Sequence, residues 1–529
     1  MAEGPRVGDR VEHLELVDAW LVDPVSGREG RGGVVVEHGR ITAVRWARGR
    51  GGAERGGAER PAGGERGGGE WGGERPAVIV TPALLDMHAH FRQPGREDAE
   101  TVATGAAAAA HGGFGTAVVM ANTKPAIDSA GTLEEVLALG RASGTPVRVY
   151  AYGATTVGRT GETLAPMGEL TDAGALGFSD DGSPVADPSL LRNALLYAGA
   201  LDRPIVEHAE DPGLIKGAEM HEGLVATILG LRGWPAAAEE GAVQRDIAIL
   251  AEAVRAAPAG ARPRLHVTHV STAAALEAIR RAKAAGLPVT CDVTPHHLAL
   301  HDGWVAGDRR WSWEAAASPW TGGPATALPF DTSTRVNPPL RPPADGLALI
   351  AGLADGTVDA IATDHAPHTQ VDKLVEYGDA AAGISGIETA IGIVLAMVNA
   401  GQVSLARAIH LLTVGPAQVL APAAGAVEPA SRARHGDRAV VGGRAVVGGR
   451  AAAAAGHESR TGLVPGLVEG APANLLVLDR SDSWAVTANV LRSKGKNTPL
   501  LGRRLPGRVL ATIVDGRFAF VEVPATADD

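Results

Sequence analysis

The amino-acid sequence predicts an α/β protein: a (β/α)8 TIM-type barrel with a small β-sandwich domain built from both chain ends. Two patterns carry this prediction. Through the middle of the chain, apolar β-branched runs alternate with Ala/Leu-rich helical stretches, and polar residues gather at the C-terminal end of each run. At the two chain ends the pattern changes to short strands joined by tight turns. With 529 residues, 45% of them hydrophobic, the chain can build one large domain and a small one.

Taken in order, VEHLELVDAWLVDP and GVVVEHGRITAV belong to the N-terminal part of the small domain, residues 1–80. Within it, residues 47–76 are Gly/Arg/Glu low complexity, expected as a flexible loop. The barrel is expected over 81–424. Its strand candidates are the run before DMHAH, then TAVVMAN, VRVYAYGA, GALGFSDD, RPIVEHAE, RLHVTHVS, LPVTCDVTPHH and VDAIATDHAPH. Runs apolar on both faces and separated by helices indicate a parallel sheet. Eight such units over about 300 residues favour closure into a barrel. Residues 302–334, with Trp304, Trp311, Trp313 and Trp320 among polar residues, are expected as an ordered surface excursion and candidate contact site. Residues 425–462 contain the near-repeat GDRAVVGGRAVVGGRA, too few copies for a solenoid and expected as a mobile insertion. GAPANLLVLDRSDSW and RVLATIVDGRFAF, within 463–529, complete the small domain.

Composition excludes several function classes. A net charge of −11 argues against nucleic acid or an anionic membrane as partner. No stretch is apolar enough to span a bilayer, and MAEGPRVGDRVE lacks the apolar core of a signal peptide. The single cysteine, Cys291, rules out an internal disulfide framework and fits a reducing cytosol, so a cytoplasmic location is expected.

Strand C-termini form the active-site face of this fold. The first run ends Asp86-Met87-His88-Ala89-His90-Phe91-Arg92, and alternation along a strand puts His88, His90 and Arg92 on one face. Two imidazoles at i and i+2 can converge on one metal, although an HxH pair also suits an ordinary strand. Further runs end in Glu207-His208-Ala209-Glu210-Asp211, in His266-Val267-Thr268-His269 and in Thr363-Asp364-His365. Terminal histidines and carboxylates spread over several strands are not explained by packing. Together they form the ligand set of a hydrolytic Zn, Mn or Fe centre. For the Asp180-Asp181 pair a solvated turn, a helix cap and a metal ligand all remain open.

Ten motifs then point one way: DMHAHFRQPG (86–95), MANTKP (120–125), GFSDDG (177–182), EHAED (207–211), HVST (269–272), TPHHL (294–298), VNPPLR (336–341), ATDHAPH (362–368), GISGIET (383–389) and SKGKNTPLLG (493–502). In these the chain resembles the amidohydrolase superfamily and, within it, the dihydroorotases of the long bacterial class I type. The resemblance implies two divalent metal ions, zinc first among the candidates. His88, His90 and Asp364 would hold the more buried ion, and His208 and His269 the second. Relatives often bridge the ions with a carbamylated lysine on strand four. Here the only lysine between His90 and His208 is Lys124, in the strand-two motif, so the resemblance assigns the bridge to Asp181 and leaves Asp180 as support or turn cap. It further assigns substrate binding to His90, Arg92, Asn122, Asn337, His368 and the backbone at Ala382 and Gly383. His296, His297 and His365 are expected as structural residues, and His111, His221 and His410 on helix surfaces.

The reaction implied is reversible cyclisation of N-carbamoyl-L-aspartate to dihydroorotate, the third step of pyrimidine synthesis. A metal-bound hydroxide would be the nucleophile and Asp364 the base and then acid. The resemblance also raises a homo-oligomer and association with aspartate transcarbamoylase. Two alternatives stand beside this reading: another cyclic amidohydrolase such as a hydantoinase, dihydropyrimidinase or allantoinase, and a non-catalytic homologue serving as an assembly scaffold.

Overall fold

The computed structural model describes residues 5–47, 76–315, 327–421, 463–464 and 466–522. The loop expected at 47–76 lies outside the described residues except at its two ends, and the insertion expected at 425–462 lies outside them entirely.

Strands from both chain ends form one sheet. They are β1 (His13–Asp23), β2 (Arg28–Glu37), β3 (Arg40–Trp46) and β4 (Val78–Pro82), with β14 (Leu475–Ala485), β15 (Arg504–Val514) and β16 (Arg517–Val521) from the far end. Their order is β16-β15-β14-β4-β1-β2-β3. A single continuous seven-stranded sheet therefore stands where two stacked sheets were expected. It curls around its own core, which includes Leu21, Val36, Ile41, Val80, Leu475 and Ile513. At one edge Gly8 N donates to Phe518 O, and at the other Ile41 N donates to Ala471 O. Two-residue hairpins close β2–β3 and β15–β16. His38-Gly39 (φ 48° and 72°) and Asp515-Gly516 (φ 49° and 74°) have the positive φ pair of type I′ turns. The turns touch, and a Cβ on Gly516 would sit 2.2 Å from Gly39 O.

The middle of the chain is α/β with parallel strands. β5 (Leu84–Ala89), β6 (Phe114–Val119) and β7 (Arg148–Ala151) form one parallel sheet. β8 (Ile205–Glu207), β11 (Leu265–Val267), β12 (Val289–Val293) and β13 (Ala360–Ile361) form a second, also parallel. The short strands β9 (Met220–His221) and β10 (Gly233–Trp234) pair only with each other. GALGFSDD, expected as a strand, is reduced to Phe178, which makes parallel bridges to Gly153 and to Ile205. The pairing stops there because the chain turns inward, Asp181 N donating to Ser179 Oγ at 3.1 Å. Ala89 and His365 form another parallel bridge beyond β13.

Alternation divides the strand residues. Leu85 and Met87 join Val118, Met120, Tyr152 and Val206 in one cluster, while Leu84 packs in the large cluster that holds the helices. Ala89 also packs in the large cluster, beyond the register shift between Asp86 and Ala89. Of the tryptophan segment, Trp320 lies outside the described residues, and two of the other rings differ from expectation. Trp304 and Trp311 are buried, and the Arg503 guanidinium lies 3.6 Å over the Trp311 ring, so these rings fill a core rather than offer a contact surface. Among the described residues no helix is long and apolar enough to cross a membrane.

Gly516→Ala should lower stability by about 1–3 kcal/mol, since it adds a positive-φ penalty to a backbone clash. Urea unfolding checks this, and a wild-type midpoint would show that the turn contact is not needed.

Candidate metal centre

The site is built where the parallel strands end. β5 stops at Ala89, so His88 lies in the strand and His90 just beyond it. Arg92 lies further on with φ 59°, outside the alternation that was expected to place it. His269 (φ 38°) and Asp364 (φ 46°) share this left-handed conformation. For such residues it costs on the order of 1–3 kcal/mol and clusters at functional sites. All six expected ligands, His88, His90, Asp181, His208, His269 and Asp364, are buried.

The proton inventory fixes how two of the histidines point. Asp292 Oδ2 only accepts when ionised, so Thr268 donates its hydroxyl hydrogen to it at 2.9 Å. Thr268 Oγ1 then accepts from His88 Nδ1 at 2.7 Å, which leaves the His88 Nε2 lone pair facing inward. Likewise the Asn122 amide donates to Asp181 Oδ2 at 3.3 Å and accepts from His90 Nδ1 at 3.0 Å. His90 Nε2 therefore also faces inward.

What those nitrogens meet is more lone pairs. His88 Nε2 is 3.4 Å from Asp181 Oδ1 and 3.5 Å from Asp364 Oδ1. His90 Nε2 is 3.0 Å from Asp364 Oδ1. His269 Nε2 is 3.5 Å from Asp181 Oδ1 and 2.8 Å from His208 Nδ1. His88 Nε2 and Asp181 Oδ1 are buried and make no hydrogen bond. A nitrogen lone pair against a carboxylate oxygen is unfavourable unless a proton or a cation sits between them. Two groups of donors have all their ligand atoms within 4.8 Å: His88, Asp181 and His269, and His88, His90 and Asp364. The donors present thus fit a divalent cation. His269 groups with His88, whereas the resemblance had placed them on different ions.

Electrostatics agrees. Burial alone would lower the His88 imidazole, but Asp181 and Asp364 outweigh it and bring it to about 9. Burial would raise Asp181, yet His88, His208 and His269 hold it well below the usual carboxylate range. Burial lowers His90.

The adjacent acids separate. Asp180 Oδ1 accepts from Thr155 N at 2.9 Å and Thr156 N at 3.1 Å, and Thr156 Oγ1 donates to Oδ2, so it ties the 155–156 loop to the strand end. Burial pushes Asp180 up.

Among the expected substrate residues, Arg92 donates to Pro367 O at 3.1 Å, with His368 Nε2 3.3 Å from its Nη2. His368 Nε2 also lies 2.8 Å from Ala382 O. Asn337 Oδ1 is buried and makes no hydrogen bond. Asn122 is engaged at both ends of its amide, by His90 and Asp181. His365 accepts from Gly386 N at 3.2 Å, and His297 meets Pro338 O at 2.9 Å. His111 ends a helix and pairs with Glu388 at 2.6 Å, and His410 lies on a helix. His221, expected on a helix surface, lies in β9 against Arg341 because the chain there is extended.

Sequence reasoning missed the support beneath the ligands. Asp292 accepts from His266 Nε2 at 2.8 Å, from Thr268, and from His269 N at 2.8 Å. Glu210 Oε2 lies 3.1 Å from His208 Nε2. A carboxylate inside the apolar run LPVTCDV was the available signal for Asp292.

The fold is that of cyclic-amide hydrolases of known structure. L-hydantoinase from Arthrobacter aurescens superposes with a TM-score of 0.66 at 21% identity, covering 96% of this chain and 97% of that one. Dihydropyrimidinase from Brevibacillus agri NCHU1002 gives 0.65 at 16% identity, covering 96% and 94%. Sequence narrows this further. A Dihydro-orotase-like family model matches residues 77–274. Dihydroorotase of Anaeromyxobacter sp. (strain K) is 41% identical over 502 residues, covering 95% of this chain and 96% of the relative. That of Pelotomaculum thermopropionicum is 40% identical over 505 residues, covering 95% and 97%. The chain belongs to the dihydroorotase family.

Asp292→Asn should weaken divalent-metal binding by about 10–100-fold while the protein stays folded, because a buried amide cannot hold both Thr268 and His269. Competition against a chelator measures this, and wild-type affinity would remove Asp292 from the site.

Proposed function

We propose that this protein is a dihydroorotase, a hydrolase that opens dihydroorotate to N-carbamoyl-L-aspartate and runs the cyclisation in reverse. The observation that carries the reading is the buried convergence of inward-facing imidazole nitrogens with Asp181 and Asp364, in a chain about 40% identical to dihydroorotases over almost its full length. The chain of parallel bridges through Phe178 and through Ala89–His365 supports reading the two parallel sheets as one closed eight-stranded barrel. Its strand ends would face a common mouth.

His88, His90 and Asp364 would hold one ion, and His208 and His269 a second, with Asp181 between them. Zinc suits this imidazole and carboxylate set. When bound, two such ions supply Lewis-acid polarisation of an amide carbonyl and a lowered pKa for water. The chain's own residues do the rest. Burial would raise Asp364, but His90 and His88 hold it well below the usual carboxylate range, so it starts as a base. In hydrolysis Asp364 takes the proton of the attacking water on Oδ2, the oxygen other than the Oδ1 that faces His88 and His90. It delivers that proton to the ring nitrogen as the carbon–nitrogen bond breaks, and cyclisation reverses both transfers. Burial lowers Arg92 to about 10, which still leaves a cation at neutral pH. Its planar fork suits the substrate carboxylate, with His368, Asn337 and the backbone at Ala382–Gly383 around it. Asn122 keeps His90 and Asp181 in register.

The test is an assay of purified protein on both compounds, with metal measured on the same sample. Turnover is expected with these and not with hydantoin or dihydrouracil; the reverse pattern would move the protein to another cyclic amidohydrolase. Asp364→Asn should cut kcat by about 10²–10⁴-fold in both directions with substrate still bound. Near-normal rates would exclude Asp364 as the base. Asp181→Ala should leave fewer than two ions per chain, and two retained ions would overturn the bridge.

A further inference from the structure

One buried cation takes no part in the chemistry above. Lys373, at the end of the short helix Gln370–Lys373, is 6% exposed and makes no ion pair among the described residues. Its ammonium is surrounded by backbone carbonyls instead. Nζ donates to Thr332 O at 3.1 Å, Arg335 O at 3.4 Å, Ala381 O at 2.6 Å and Gly383 O at 3.0 Å. Burial penalises the charge and brings the ammonium down to about 7.

Those four carbonyls belong to two separate segments. One leads directly into Asn337, and the other flanks Ala382, whose carbonyl meets His368 beside Arg92. The two are also joined directly, Gly383 N donating to Arg335 O at 2.9 Å. Lys373 is itself held. Thr332 Oγ1 donates to its carbonyl at 2.7 Å, and the preceding Asp372 carboxylate caps the helix start and pairs with Arg96 at 2.7 Å. Carbonyl dipoles gathered on one cation repel each other without it. Removing the ammonium therefore frees both segments at once.

We propose that Lys373 is a positioning residue for substrate recognition, its buried ammonium binding the carbonyls of Thr332, Arg335, Ala381 and Gly383 so that the Ala382–Gly383 backbone and Asn337 stay aligned with Arg92 and His368. The metal donors lie on other segments, so the effect falls on substrate binding and leaves the chemical step alone. The inference rests on the substrate assignment proposed above.

Lys373→Met, close in length but without charge or donors, tests it in steady-state assays of both directions. KM should rise at least tenfold, with kcat within threefold of wild type and zinc content unchanged. A KM within twofold of wild type, or a kcat loss larger than the KM rise, would overturn the role. A residue that merely stabilised the fold would not produce that split. If Lys373→Met does not fold, Thr332→Val removes the hydroxyl that grips the Lys373 carbonyl: a threefold or greater KM rise supports the clamp and an unchanged KM refutes it. Wild-type protein inactive on both compounds would instead sink the dihydroorotase reading.

Discussion

Everything around the centre follows from one requirement, that several lone pairs be held against one another in a buried space. Left alone, imidazole nitrogens and carboxylate oxygens at 3.0–3.5 Å would repel, or would be relieved by protonation. The fold fixes which way these rings face by occupying the other nitrogen of His88 with Thr268 and that of His90 with Asn122, so that a proton or a cation must be taken up on the inner side. Each ring then has one orientation, and its free lone pair has nowhere to go but inward. The left-handed backbone at His269 and Asp364 belongs to the same arrangement, since strand geometry alone would not aim those side chains there. His269 keeps that conformation with its amide donated to Asp292.

Asp292 thereby links the fold to the site more economically than any ligand does. It sits in β12, and through Thr268 and the His269 amide it reaches two donors from a third strand position. Its burial is complete, yet His266 and the neighbouring histidines keep it below the usual carboxylate range. Lys373 plays the complementary part on the substrate side, where a cation gathers carbonyls in place of an anion gathering donors. The two centres are electrostatic opposites, and each tethers segments distant in sequence.

How much of this was legible in the sequence depends on range. Periodicity gave the alternating strands and helices, and strand-end chemistry picked out His88, His90, His208, His269 and Asp364, because those signals are local. Arg92 was placed by alternation that had already ended at Ala89, and only the backbone shows its φ of 59°. The fourth strand was read as a full element, although its ladder is one residue long: Phe178 N donates to Pro204 O at 3.1 Å and Ser179 N to Gly153 O at 2.9 Å, and the bridges end there. Trp304 and Trp311 looked like a surface feature because their neighbours are polar, and the Arg503 that covers Trp311 lies far along the chain. Thr268, Asp292 and Lys373 act through partners remote in sequence, which no spacing rule reaches.

The Asp180-Asp181 pair shows why neighbouring acids need not share a role. Both carboxylates are buried, which by itself raises a carboxyl group. Asp180 meets two amides and a hydroxyl of one loop and stays on the raised side, whereas Asp181 meets three histidines and falls well below. The turn between them does the sorting. Ser179 Oγ accepts the Asp181 amide, and Arg159 donates to the Asp180 carbonyl at 3.3 Å and to the Asp181 carbonyl at 2.5 Å. With the backbone gripped from one side, successive side chains leave in different directions. A short carboxylate can then reach the middle of the cluster where no lysine is available on that strand end.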